Sequence, residues 1–229
     1  MDGYGHASLA GVTRGVVAYR HSEDDAVLAL QRDGLEGSGV SRSGAEGERV
    51  LGIDPGTRVL GYGVVEGNGR GEPRLVAVGS FRVERAGEGY ASLLAIRRCV
   101  CALVEWYAPG VVAIEAPFLG KNAQSMLKLG RAQGVAIAAL VELGLDVQEY
   151  APRKVKMSLT GCGDASKEQV KGMLSNMYPA EGIMELKDFD STDALAVAMC
   201  HYHSGRTVGR TGKGSWGEFV AKHPDRVRG

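Results

Sequence analysis

The sequence predicts an α/β fold, with a mixed sheet of five strands flanked by helices. Two short apolar segments separated by a Pro-Gly turn predict an antiparallel hairpin near residue 50. Further apolar runs alternate with longer segments whose apolar residues recur every three or four positions, the spacing of a helix packed on a core. Strands that alternate with helices along a chain are typical of a layered α/β domain.

The predicted elements follow in a simple order. Strands over 50–54 and 59–65 form the hairpin, because apolar residues alternate on both sides of Pro55-Gly56. A third strand is predicted over 74–83. The remaining elements are a helix over 90–107, a strand over 111–115, a helix over 123–143, a strand over 147–150 and two helices over 167–178 and 188–203.

Composition divides the 229 residues into three parts. Residues 1–48 carry four basic and eight acidic side chains and many glycines, which predicts a disordered extension. An alternative is that translation starts near Glu48 or Val50. Residues 49–204 balance their charges and predict one globular domain, whereas residues 205–229, with six basic and two acidic side chains, predict a basic tail. This charge distribution neither requires nor excludes a nucleic-acid partner.

No sequence feature indicates a membrane or secretion. Cys99, Cys101, Cys162 and Cys200 lack the spacing of a zinc site or a disulfide framework, and they are predicted to be small buried apolar residues. The sequence has no apolar run of about 18 residues, the length that a membrane span needs, and no signal-peptide pattern. These features predict a cytoplasmic protein without a membrane partner.

Four acidic residues stand at or near the ends of predicted elements, each next to apolar positions. Asp54 lies in the first strand, and Glu115 ends the apolar strand 111–115. Asp190 and Asp193 are three residues apart at the start of the last helix, a spacing that puts both on one side of its first turn. Buried carboxylates are unfavourable unless a partner or a metal ion balances their charge. The four acids are therefore candidates for one metal site.

Oxygen ligands without a Cys or His cluster favour hard cations, so the sequence predicts Mg²⁺, with Mn²⁺ as a substitute. Two such ions, about 3.5 to 4 Å apart, can stabilise the attacking and the leaving oxygen when a phosphodiester is hydrolysed. Two alternatives stay open here. Asp54 could cap the turn after its strand, and Asp190 and Asp193 could serve only to offset the positive end of their helix.

Four stretches within residues 49–204 carry these acids and their surroundings: VLGIDPGTRVLGYGVV, AIEAPFLGKNAQSMLKLGRAQGVAI, APRKVKMSLTGCGDASKEQV and DSTDALAVAMCHYH. Together they resemble the RuvC family of bacterial Holliday junction resolvases. The resemblance implies a ribonuclease H-like fold, a homodimer and metal-dependent nicking of two opposed strands of a four-way DNA junction. It implies that the catalytic, metal-binding acids are Asp54, Glu115, Asp190 and Asp193. It also implies the RuvA and RuvB branch-migration proteins as partners.

The resemblance also implies which residues contact DNA. Phe118, in the loop after the second acid, matches an aromatic residue that stacks on unpaired bases. Lys156 and Lys167 match lysines that contact phosphate groups. Arg153 and Lys121 are further candidates for phosphate contacts. For each residue the alternative is an ordinary structural role, a buried phenylalanine or a solvated surface cation.

The small residues of helix 123–143 match the helix through which the family dimerises, and a two-fold dimer supplies two active sites for two symmetric nicks. The chain departs from the family pattern in its extension 1–48, in Ala116-Pro117 and in its tail. Other classes share single features. The motif GIDPGT is similar to the phosphate-binding hairpin of actin-like ATPases and sugar kinases, which are longer, and to YqgF-like nucleases. A junction-binding protein without cleavage activity is a third alternative.

Overall fold

The computed structural model describes residues 17–20, 47–83, 90–117 and 122–210. They form one mixed sheet with helices on both faces. The strands are β1 (Val17–Arg20), β2 (Glu48–Pro55), β3 (Val59–Gly67), β4 (Arg74–Arg82), β5 (Val111–Glu115) and β6 (Asp146–Tyr150), in the sheet order β1-β4-β3-β2-β5-β6. The helices are α1 (Ala91–Tyr107), α2 (Ala123–Glu142), α3 (Pro152–Thr160), α4 (Lys167–Met177) and α5 (Asp190–Arg210), with a 3₁₀ turn at Ile183–Glu185.

The hairpin predicted near residue 50 forms the centre of the sheet. β2 and β3 pair antiparallel, with Val50 opposite Val65, and β4 continues the antiparallel arrangement. β5 pairs parallel with β2, and β6 pairs parallel with β5. Parallel neighbours need a crossover, which α1 and α2 provide. All five predicted strands are present, so the predicted mixed α/β sheet is confirmed.

Three features differ from the prediction. Residues 17–20, which lie in the segment predicted to be disordered, form β1 and pair parallel with β4. The free edge of β4 offers backbone groups that an extended segment can satisfy. The rest of that segment, up to residue 46, lies outside the described residues. α3 escaped prediction because Val155 and Leu159 alone are buried in it, too few to show a helical period. α5 continues past residue 204, where the tail was predicted to begin, to Arg210.

Alternating side chains of the strands fill two core clusters, one on each face of the sheet. On β2, Leu51 and Ile53 point into the cluster formed with α1 and α2. Val50 points into the opposite cluster, against which α3, α4 and α5 pack. Each fully buried Leu or Ile contributes about 1.5 to 3 kcal/mol, so this alternation fixes the register of β2. Asp54 therefore lies on the same face as Val50, the face covered by α5.

α5 lies directly on the backbone of β2 and β3 because glycines face it. A Cβ atom on Gly52 would come within 2.0 Å of the carbonyl oxygen of Ala194, and one on Gly61 within 2.0 Å of the carbonyl oxygen of Asp190. At Gly63 the corresponding distance to the α5 backbone is 2.5 Å. No side chain fits at these distances, so only glycine allows this approach. We call these three residues the glycine floor, and they bring the start of α5 down to the sheet.

The outer surfaces of α1 and α2 retain some exposed apolar side chains, Leu94, Leu127 and Val141. Cys99 and Cys200 are buried as predicted. Cys101 is only half-buried and Cys162, in the loop between α3 and α4, is exposed, which corrects the prediction for these two cysteines. Cys162 follows Gly161, the residue that caps the end of α3, so it lies in a turn and not on the buried face of a helix. Among the described residues, no helix is both long and apolar enough to cross a membrane.

Candidate functional site

Two of the predicted acids lie at the ends of neighbouring parallel strands. Ile53 of β2 pairs with Ile114 of β5, so the next residues, Asp54 and Glu115, lie side by side. Ile53 and Ile114 point into the core cluster of α1 and α2, so the two acids point to the opposite face, toward α5. The residues that precede the two acids in both strands are buried, whereas the two acids themselves are partly exposed.

The other two acids come from the first turn of α5. Asp190 and Asp193 both lie in this turn, as the sequence spacing predicts. The glycine floor sets the turn against β3, and the Asp190 carboxylate lies near the β2–β3 turn. A Cβ atom on Gly56 would be 3.7 Å from its Oδ1. Four carboxylates from two strands and one helix are thus brought to one corner of the sheet.

Asp188 holds the start of α5 in place. Its Oδ1 accepts hydrogen bonds from the backbone N of Ser191 at 3.0 Å and from the Ser191 hydroxyl at 2.6 Å. Its Oδ2 accepts a hydrogen bond from the Ser80 hydroxyl of β4 at 3.1 Å. This is the capping arrangement that satisfies free N–H groups at a helix start, and it also ties the helix to the sheet.

The acids raise one another's pKa values. Burial, followed by the charges of the other three acids, raises the pKa of Asp54 from 3.8 to about 7. Burial also raises the pKa of Glu115, with a contribution from Asp193. Burial and then the charge of Asp188 raise the pKa of Asp190. Carboxyl groups that affect each other in this way form a cluster in which a cation is favourable.

Lys167, the first residue of α4, places its ammonium group among these acids. Its Nζ donates a hydrogen bond to Asp193 Oδ2, and the two form an ion pair. Partial burial opposes the charge of the lysine, but its hydrogen bond with Asp193 and the attraction of the acids outweigh this and raise its pKa. A capping box between Ser166 and Gln169 fixes the start of α4, and so the position of Lys167.

The other described DNA-contact candidates lie on α3. The positive charge of Lys156 opposes the rise in the pKa of Glu115, so this lysine lies near the acids. Arg153 forms an exposed pair with Asp164, 3.8 Å from Nη2 to Oδ2. Phe118 and Lys121 lie outside the described residues.

The four acids fit a divalent metal ion in their chemistry, because carboxylate oxygens are the ligands that Mg²⁺ and Mn²⁺ prefer. Their side chains are not arranged around one point. Among the described residues, no three acidic, histidine or cysteine side chains converge closely enough to hold an ion. Asp193 is bonded to Lys167 instead. To hold a metal ion here, the carboxylate side chains must rotate and the hydrogen bond between Lys167 and Asp193 must open. The backbone already brings the four acids to one corner of the sheet.

Comparison with known proteins identifies the family. The family model of crossover junction endodeoxyribonuclease RuvC matches residues 50–201. The chain belongs to this family. A crossover junction endodeoxyribonuclease RuvC of Bacteroides fragilis is 48% identical over 181 residues, which are 78% of this chain and 95% of the relative. The protein of the same name from Porphyromonas gingivalis is 44% identical over 183 residues, 78% of this chain and 96% of the relative.

Solved RuvC structures share the fold. The structure of T. thermophilus RuvC in complex with a Holliday junction substrate matches with a TM-score of 0.60 and 32% identity, over 70% of this chain and 96% of that one. The yeast mitochondrial Holliday junction resolvase Ydc2, at 15% identity and a TM-score of 0.51, shows the fold alone. These matches confirm the RuvC family and the ribonuclease H-like fold predicted from the sequence. They rule against the ATPase and YqgF-like alternatives.

Two residues near the four acids were missed from the sequence. Asp188 is one, although an aspartate three residues before Ser191 at a helix start is a recognisable capping pattern. Gln133, buried on α2, is the other. Its Nε2 donates hydrogen bonds to the Glu149 side chain at 3.0 Å and to the backbone oxygen of Glu115 at 3.4 Å. A polar residue on the buried side of an otherwise small and apolar helix was the available signal.

Proposed function

We propose that this chain is a metal-dependent endonuclease that resolves Holliday junctions by paired symmetric nicks in DNA recombination and repair. We further propose two Mg²⁺ ions per active site, replaceable by Mn²⁺, held by Asp54, Glu115, Asp190 and Asp193. One observation carries the proposal. In a chain of the RuvC family, β2, β5 and α5 bring these four carboxylates to one corner of the sheet.

The bound ions would supply an activated water and stabilise the leaving oxygen of the phosphodiester. The chain itself supplies the arrangement. The apolar strands behind Asp54 and Glu115 exclude water from one side of the site, which strengthens its electrostatic interactions. Asp188 and the glycine floor hold the first turn of α5, so the two carboxylates of this turn keep a fixed position relative to the strands.

We propose that Lys156 and Lys167 bind the phosphates that flank the cleaved bond. Their proximity to the acids supports this role, because both reduce the negative potential that would repel DNA. Arg153 and Lys121 would contact phosphate further along the strand, and Phe118 would stack on an unpaired base at the junction. Stacking of this kind contributes about 1 to 3 kcal/mol without reading sequence.

We propose that the protein acts as a homodimer and cooperates with RuvA and RuvB. The exposed apolar side chains on α1 and α2 support a protein contact on that face. Light scattering should then give a dimer for the wild type and a monomer for Leu127→Glu. Gln124→Glu, on an exposed position of the same helix, should leave the dimer intact. A wild-type monomer at micromolar concentration would argue against the dimer.

Residues 49–204 form the nuclease domain in this proposal, with 1–48 as an extension that adds β1 to the edge of the sheet and 205–229 as a basic tail whose first residues continue α5. A cytoplasmic location is part of the same proposal, and fractionation of cells would test it. A chain truncated to residues 49–229 should cleave junctions as the full chain does. Loss of cleavage in the truncated chain would show instead that the extension contributes to the enzyme.

The decisive experiment is cleavage of a synthetic four-way junction by the full chain in Mg²⁺, beside a linear duplex of equal length. Two symmetric nicks in the junction alone, absent with Asp54→Asn, would support the function and the metal role together. Asp146→Asn, an exposed acid at the other end of the sheet, is the matched control and should cleave normally. A junction that is bound but never cut in Mg²⁺ or Mn²⁺ would favour the binding-protein alternative.

A further inference from the structure

The ammonium group of Lys167 sits where it competes with any other cation for Asp193. Its Nζ is bonded to Asp193 Oδ2, and Asp54 and Asp190 also attract it. A divalent ion at Asp193 would have to share this oxygen with a positive charge at hydrogen-bond distance. Like charges at that distance repel strongly, so the lysine and the ion exclude each other.

Phe189 lies behind this lysine, at the end of the segment that leads into α5. The Nζ atoms of Lys167 and Lys171 are each 5.8 Å from the centre of its ring. The two lysines are one turn apart on α4, and Lys171 also donates a hydrogen bond to the backbone oxygen of Leu186. Two ammonium groups on one helix face repel each other, and an aromatic face within about 6 Å attracts both. The ring therefore helps to keep Lys167 over the acids.

We propose that Lys167 is a resident cation of the acid cluster, that Phe189 is the positioning residue that holds it against Asp193, and that a divalent ion must displace it. This inference rests on the proposed function, because it takes the four acids as the metal site. Once displaced, the ammonium group of Lys167 is free to bind a DNA phosphate. The lysine thus alternates between the acids and DNA, and the ring sets how easily it leaves the acids.

Mn²⁺ binding to the full chain without DNA, measured by the electron paramagnetic resonance signal of the free ion, tests this directly. Removing the competing charge in Lys167→Met should lower the Kd for Mn²⁺ about two- to fivefold, the range expected for an ion pair whose lysine is 56% exposed. Phe189→Leu should lower it about twofold, and Phe189→Tyr, which retains an aromatic face, should bind as the wild type does. Lys154, on α3, lies over the ring of Tyr150 and away from the acids. Lys154→Met should therefore leave the Kd for Mn²⁺ unchanged.

The double variant separates a positioning role from a general structural one. If Phe189 acts through the lysine, Phe189→Leu should have no further effect on Mn²⁺ binding when Lys167 is already methionine. An equal effect in both backgrounds, or weaker Mn²⁺ binding by Phe189→Leu alone, would overturn the role of Phe189. Unchanged binding by Lys167→Met, whose exposed side chain makes misfolding a small risk, would overturn the resident-cation role.

The proposed function can fail separately from this inference. If the wild type binds no Mn²⁺ and Asp54→Asn behaves the same, the four acids are not a metal site, and both proposals are wrong. If the wild type binds Mn²⁺ and Asp54→Asn does not, the metal site stands. The variants of Lys167 and Phe189 then decide the inference alone.

Discussion

Replacing Asp54 with asparagine should make the metal-free protein more stable at neutral and alkaline pH. The residue lies beside Glu115 and faces the two acids of α5, and the charge of Lys167 offsets only part of the effect of burial and of these acids. An acid that is harder to ionise in the folded state lowers stability wherever it must be ionised. The variant removes that penalty, although it is expected to abolish cleavage.

The size of the effect follows from the pKa of Asp54. Folding raises this pKa from 3.8 to about 7, so in that range the folded protein retains a proton that the unfolded chain has lost. Stability therefore falls as pH rises from about 4 to about 7, and stays at its lower value above that range. Each pKa unit corresponds to about 1.4 kcal/mol, which gives a ceiling of about 4 kcal/mol. The asparagine amide, half-buried at this position, costs about 2 kcal/mol where it lacks hydrogen-bond partners, so the expected gain at pH 8 is about 2 kcal/mol.

Urea unfolding followed by circular dichroism in EDTA measures this free energy at pH 5 and pH 8. At pH 5 the ceiling on the penalty is about 2 kcal/mol, and the cost of the asparagine amide does not change with pH, so the gain from Asp54→Asn should nearly vanish. Asp146→Asn should change stability at neither pH, because that acid is exposed. Mg²⁺ should then stabilise the wild type more than Asp54→Asn, since an ion stabilises the form that binds it.

Two results would refute this reasoning. Equal stability of the wild type and Asp54→Asn at pH 8 would show that the carboxyl group is not destabilised by its surroundings. A gain of the same size at both pH values would show that the substitution acts through packing and not through charge. Either result would remove the electrostatic argument for a cation site, whatever the cleavage assay gives.

Three further substitutions test the framework of the site. Gly61→Ala should destabilise the protein by about 1 to 3 kcal/mol and weaken Mn²⁺ binding, because its Cβ would collide with the α5 backbone. The control is Gly130→Ala, which has open space around it and should not lower stability in thermal unfolding. Equal stability of the two variants would contradict the packing argument. Ser166→Ala should lose the capping box of α4, about 1 kcal/mol in urea unfolding, and an unchanged midpoint would count against it. Gln133→Leu should lower the free energy of unfolding by about 1 kcal/mol and slow junction cleavage severalfold, because the backbone oxygen of Glu115 loses its hydrogen bond. Full cleavage activity would show that the hydrogen bond from Gln133 does not position Glu115.

The fold and the four acids were accessible from the sequence because their signals are local. Five strands and the long helices carry clear apolar periods, and Asp190 and Asp193 show their common face by spacing alone. The features that escaped depend on contacts between distant segments. α3 buries too few apolar residues to show a period, and β1 pairs with a strand more than fifty residues away. The hydrogen bond from Lys167 to Asp193 joins residues 26 positions apart, so no local sequence pattern predicts it.

The glycine floor has a consequence for how this enzyme would look in a mutational survey. Gly52, Gly61 and Gly63 have no side chain that could bind a phosphate or a metal ion, yet any replacement moves the backbone that carries Asp190 and Asp193. A library scored by junction cleavage would therefore rank these three glycines with the four acids. A parallel score for folded protein would separate the two classes, because substituting the acids leaves the fold intact or more stable, whereas substituting the glycines weakens it. Activity that falls together with stability would mark the residues that set the distance between helix and sheet. Activity that falls while stability rises would mark the residues that do the chemistry.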